Sequence, residues 1–219
     1  MNLRKVAVRS IIVVLLLIVV WGAGFAWVCS RLPTEYLVNP AFGRSDWTVS
    51  RSILQFYLLD TPWGQDKLRD SSNDIIAYVS SASSVDDNVL HASSQRRAIV
   101  WIRELLKLGK PVNAKMEGFS ALEDAVMSNQ IILARYLIRH GARVQSFSYG
   151  EHHVKHYAPL IALALCMQRV DPEANAIPML RLLKQAYRQQ NIPIHLKVAE
   201  KLAQRCRPRS NPMSIYMDR

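Results

Sequence analysis

The sequence predicts an all-α protein: an N-terminal transmembrane helix followed by a short solenoid of helix pairs. Three observations lead there. Ile11 to Val28 is eighteen residues without a charge. Ser120 to Val144, SALEDAVMSNQIILARYLIRHGARV, carries two short helical patterns that meet at a turn. The same pattern stands 32 residues earlier, in NVLHASSQRRAIVWIRELLKLGKPV, Asn88 to Val112. With 219 residues, the chain can hold one domain plus an anchor.

The apolar run comes first. At about 1.5 Å of rise per residue it makes a helix of roughly 27 Å, near the roughly 30 Å of a bilayer core. Trp21 and Trp27 lie toward its outer end, where amphipathic rings favour the interface. Arg4, Lys5 and Arg9 precede it, so the positive-inside bias keeps the N-terminus in the cytoplasm and sends the bulk of the chain to the periplasm. The expected location is the inner (cytoplasmic) membrane, single-pass, with contact to lipid through residues 11–28. A cleaved signal peptide is the alternative, with Gly24-Phe25-Ala26 as a small-x-small site. Against cleavage stand the length of the run and bulky Trp27 after the cut. Without Arg4, Lys5 and Arg9, 25 basic residues face 17 acidic ones, a net charge of +8. The excess is late: Arg181, Lys184, Arg188, Lys197, Lys201, Arg205, Arg207 and Arg209 face only Glu200. Such an end suits an acidic partner or simply a solvated face.

The patterned segment follows its own logic. Ser120 is a good N-cap, and Glu123 three residues later completes a capping box. Leu122, Ala125 and Val126 give an apolar stripe. Asn129 tolerates the positive φ of a tight helix-to-helix turn. Ile131, Ile132, Leu133, Leu137 and Ile138 recur at helical spacing, and Gly141 stands at the left-handed C-terminal position. Helices this short are marginal alone and need neighbours. The earlier copy supplies one: Leu90 falls on Leu122, Ile99 on Ile131, Gly109 on Gly141 and Val112 on Val144. A third copy, stretched by Gln145 to Tyr157, opens at Ala158-Pro159-Leu160. Asp171-Pro172 is a start signal for its second helix, with Leu180, Leu182 and Leu183 as the stripe. Leu196 to Arg205 closes the stack.

A period near 33 with paired leucines and a closing glycine resembles the ankyrin repeat. Ser120-Ala121-Leu122 stands where that family has Thr-Pro-Leu, and Gly141-Ala142-Arg143-Val144 where it has Gly-Ala-Asp-Val. Gly118 matches the tip-loop glycine. No acidic residue follows Gly109 or Gly141, a departure from the family. The resemblance covers about residues 86–206. Together with the apolar run it gives this expected organisation: 1–9 cytoplasmic, 10–29 anchor, 30–85 tether and helical N-terminal cap, 86–206 repeats, 207–219 basic tail. In the cap region, Ser52 to Leu59 and Asn73 to Val79 read as helices, Asp60 to Gly64 as a turn and Ser80 to Asn88 as a loop.

Chemistry is sparse. Glu151-His152-His153-Val154-Lys155-His156 holds three histidines. On a helix His152 and His156 would share a face, with Glu151 as a base, but no third ligand is placed by the sequence, so no metal site is expected. No phosphate loop or nucleophile motif stands out. We expect no cofactor and no catalysis, and for an exported chain no nucleic acid. Cys166 and Cys206 form an even pair in the exported part: they either bridge or remain two separate buried thiols.

A repeat stack binds protein through its turns and first helices. The expected contact residues are Phe119, Glu123 and Asp124, then Phe147, Tyr149, His152, His153 and Tyr157, together with Lys115 and Glu117 at the tip. Arg96 and Arg97, taken to lie between the helices of the first copy, join them. Aromatic and arginine anchors commonly dominate such surfaces. By resemblance, small anchored ankyrin-like proteins of bacterial type are similar to immunity proteins, which neutralise a toxic effector in the periplasm. The alternative partner is a subunit of an envelope or secretion complex, reached through Gly22, Ala23, Gly24 and Ala26 on the anchor. A metal-dependent enzyme using the histidine cluster is the distant third.

Overall fold

The computed structural model describes residues 3–34, 36–38, 48–84, 92–144, 147–149, 156–158, 160–172, 175–204 and 206. The chain is mostly helical, with few strands. It divides into two units, Met1–Asp70 and Ser71–Arg219.

In the first unit α1 runs Leu3–Arg31, α2 Thr48–Asp60 and α3 Pro62–Asp70. One helix of the described chain, near the N-terminus, is long and apolar enough to cross a membrane, with its apolar window at Val14–Arg31. Within that window the described side chains are largely exposed. The Asp60–Gly64 turn signal resolves as a one-residue break: Thr61 separates the helices, and Pro62 opens α3 where its missing N–H is harmless. The Thr61 hydroxyl donates to Tyr57 O at 2.6 Å and accepts from Gly64 N–H at 3.1 Å, pinning α3 onto α2.

The second unit holds α4 Ile75–Ser84, α5 Ala92–Lys107, α6 Ala121–Met127, α7 Ile131–Arg139, α8 Leu160–Val170, α9 Ile177–Gln189 and α10 Leu196–Ala203. Two short hairpins interrupt them, β1 Lys115–Met116 with β2 Phe119–Ser120, and β3 Phe147–Tyr149 with β4 His156–Ala158. The helices form two layers. α4, α6, α8 and α10 pack in succession as one, and α5, α7 and α9 as the other. Each adjacent pair, α4–α5, α6–α7 and α8–α9, joins the layers. The core between them is apolar: Ile76, Trp101, Leu105, Leu122, Leu133, Leu137, Leu163, Met179 and Leu183 are all buried. Short helices therefore persist because each buries its face on two or three others.

One local device recurs. α5, α7 and α9 each end at a residue with positive φ: Gly109 at 83°, Gly141 at 90° and Asn191 at 54°. In each the next N–H returns to a carbonyl near the helix end, Lys110 to Leu105, Ala142 to Leu137 and Ile192 to Tyr187, at 2.9–3.0 Å. This is the left-handed helix closure that glycine and asparagine tolerate best. Asn129, at 50°, ends α6 in the same way, with Gln130 N–H returning to Ala125 O.

Several local expectations change. Ser80–Ser84 is the end of α4, not a loop. Arg96 and Arg97 lie inside α5, a continuous helix, rather than between two helices. The helix paired with α5 is α4, which the sequence grouped with the cap. Asp171-Pro172 does not start α9: Asp171 N–H closes α8 on Met167 O, and α9 begins at Ile177 with Pro178 in its first turn. Cys166 and Cys206 are joined by a disulfide, with Cα atoms 5.6 Å apart.

Candidate protein-binding surface

The first hairpin is a two-residue connection. Met116 pairs with Phe119, and Glu117 and Gly118 between them have φ of 50° and 89°. Positive φ at both central residues matches the right-handed strand twist. β1 packs on α4 and β2 leads into α6. Lys115 and Glu117 are exposed and Phe119 is half-buried. The second hairpin pairs Phe147 with Ala158, Ser148 with Tyr157 and Tyr149 with His156, and precedes α8 as the first precedes α6. Phe147, Tyr149 and Tyr157 thus lie on one two-stranded unit, with Tyr157 in register with Ser148 and so on the opposite face from the other two. His152 and His153 lie outside the described residues. His156 is on a strand, so the helical spacing that would have placed it over His152 does not apply there.

Glu123 and Asp124 are 5% and 9% exposed, so they serve inside the fold. Ser120 and Glu123 form the expected capping box: Glu123 N–H donates to Ser120 Oγ at 3.3 Å and Ser120 N–H to Glu123 Oε2 at 2.5 Å. Lys115 Nζ lies 3.8 Å from Glu123 Oε1. Burial still raises the Glu123 pKa, outweighing these partners. Asp124 is pushed up to about 7, by burial first and by Glu123 and Glu117 next. Its Oδ2 is buried without a hydrogen-bond partner among the described residues. On α5, Arg96 is exposed and Arg97 is half-buried.

The sequence reading passed over a second concavity. Between α7 and α9 a groove of about 560 Å³ is lined by Arg135, Ile138 and Arg139 on one side and Pro178, Arg181, Leu182, Gln185, Ala186 and Gln189 on the other. Arg135 and Arg139 stand one turn apart, as do Arg181 and Gln185, and the absence of Asp and Glu from both helices was legible. The repeat stack already placed these two second helices side by side; what was not legible is the open groove that their side chains leave between them.

Among the described residues no group of three His, Cys, Asp or Glu side chains gathers in a way that could hold a metal. Comparison with protein-family models, curated proteins and solved structures returned no match.

Proposed function

We propose that this chain is a membrane-anchored protein-binding module of ankyrin-like build, with its helix stack in the periplasm. The observation that carries the reading is the repeated unit: α5, then α7, each closed by a positive-φ residue and followed by a hairpin that leads into the next helix of the other layer, α6 and α8. Repeat stacks built this way present their turns as a recognition surface. α1, the basic residues Arg4, Lys5 and Arg9 that precede its apolar run, and the Cys166–Cys206 bridge support the compartment, since disulfides persist where the medium is oxidising. The partner we propose for a small anchored binder is a toxic effector, which the chain would neutralise as an immunity protein. The test is site-specific photocrosslinking of the full-length protein in membranes, with the reactive group at Phe119 or Tyr149. A discrete adduct to one protein, lost when the hairpin is replaced, supports the reading; no adduct from either position sinks it.

A second reading, a scaffold subunit of an envelope complex, draws on Gly22 and Gly24. An added Cβ at either meets nothing within 4 Å, so a neighbouring helix could approach closely. Adducts that form from α1 and not from the hairpins would favour it.

A further inference from the structure

We propose that the groove between α7 and α9 docks an acidic, partly apolar segment of a partner protein. This site lies on other helices than the hairpins, so it goes beyond the reading above and can fail without it. The floor is apolar: Leu182 and Ile138 are half-buried and Ala186 is buried. The rim is cationic. Arg135, Arg139 and Arg181 are exposed, and none of them makes an ion pair among the described residues. The contrast with α5 is informative. There Arg103 and Lys107 both lie on Glu104, at 3.1 and 3.0 Å. α7 and α9 carry five Arg and Lys residues between them and no carboxylate, so nothing on these helices neutralises the groove.

Uncompensated like charges around a concavity repel one another, and an anionic occupant relieves that. Arginine, unlike lysine, meets a carboxylate with a planar fork of two N–H donors. Gln185 and Gln189 add neutral donors and acceptors along the same rim. A segment with glutamates on one flank and leucines on the other would match both rim and floor. An anionic membrane surface would satisfy the charges but leave the recessed apolar floor unfilled, so a polypeptide suits the site better.

The test uses the full-length protein in detergent micelles and a fluorescein-labelled amphipathic helical peptide with Glu and Leu faces, followed by fluorescence anisotropy. Two controls are its Gln-for-Glu counterpart and phosphatidylglycerol vesicles. The Glu peptide should bind, the Gln peptide should bind at least about tenfold more weakly, and R135E/R181E should weaken the Glu peptide by about tenfold or more. Both arginines are exposed, so the variant should keep its melting temperature. Phe119→Ala should leave peptide binding unchanged, which separates this site from the hairpin. Equal binding of the two peptides, no binding of the Glu peptide, or an unaltered affinity in R135E/R181E would overturn the proposal. So would vesicle binding that depends on the arginines while the peptide does not bind.

Discussion

The side-chain amide of Asn113 holds the backbone at Arg143: its Oδ1 accepts the Arg143 N–H at 2.8 Å and its Nδ2 donates to Gly141 O at 3.1 Å. From the next element Gln190 does the same, accepting from Val144 N–H at 3.0 Å and donating to Ala142 O at 2.8 Å. The segment Gly141–Val144 is thus gripped by two amides, where the ankyrin resemblance would have placed an acidic turn residue. Gln190→Ala removes two part-buried hydrogen bonds and should cost about 2 kcal/mol. Asn113→Ala, at an exposed site, should cost about 1 kcal/mol. Urea unfolding of the two variants checks the order.

α7 begins without a cap of its own, since Gln130 makes no side-chain cap bond. Gln95 of α5 supplies it, its Oε1 accepting from Ile132 N–H at 2.9 Å and Leu133 N–H at 3.3 Å. α8 is capped likewise: the Tyr187 hydroxyl accepts from Leu160 N–H at 3.0 Å. Gln95→Leu and Tyr187→Phe should each lower stability by about 1–2 kcal/mol, the usual cost of a lost N-cap. Hydrogen exchange should quicken at 132–133 in the first variant and at 160 in the second. Unchanged protection at those amides would contradict the capping roles.

The Cys166–Cys206 bridge closes a loop of 40 residues that contains α9 and α10. Removing it frees the unfolded chain by about 4 kcal/mol on the loop-entropy account. Cys206→Ala should therefore melt well below the parent protein, and dithiothreitol should lower the melting temperature of the parent but not of the variant.

Asp124 sets a pH dependence with a definite sign. Its pKa is about 7 in the fold against an ordinary value near 4. Between those values the folded state holds a proton that the unfolded chain has released, so stability falls as pH rises through the window. Glu123, also raised, adds in the same direction. Asp124→Asn keeps the shape without the charge. It should gain roughly 3 kcal/mol at pH 8 relative to the parent and show a flatter profile between pH 4 and 7.

How much of this was legible depended on whether a signal was local. The capping box at Ser120 and Glu123, the positive φ of Asn129 and the closing Gly141 are decided within a few residues of sequence, and all three appear in the structure. α4 was half legible: its start was read, but its extension through Ser84 and its place beneath α5 and α6 depend on packing. The buried Glu123 and Asp124 read as polar surface because nothing in SALEDA reveals which face the neighbouring α4 and α8 cover. Asp171-Pro172 was misread since a cap signal also serves to end a helix. The cross-element amides of Asn113, Gln95 and Gln190 have no sequence signature at all, because their partners lie 28 to 48 residues away.

The central claim is that this helix stack works outside the cytoplasm, tethered by α1. Thiol counting tests it most directly. Cells making the full chain are quenched with acid, and the denatured protein is labelled with a maleimide of high mass. The chain has three cysteines, and a bridged Cys166–Cys206 leaves Cys29 alone to react. The account predicts one label per chain, rising to three after reduction. Three labels without reduction would put the stack in a reducing compartment and contradict it.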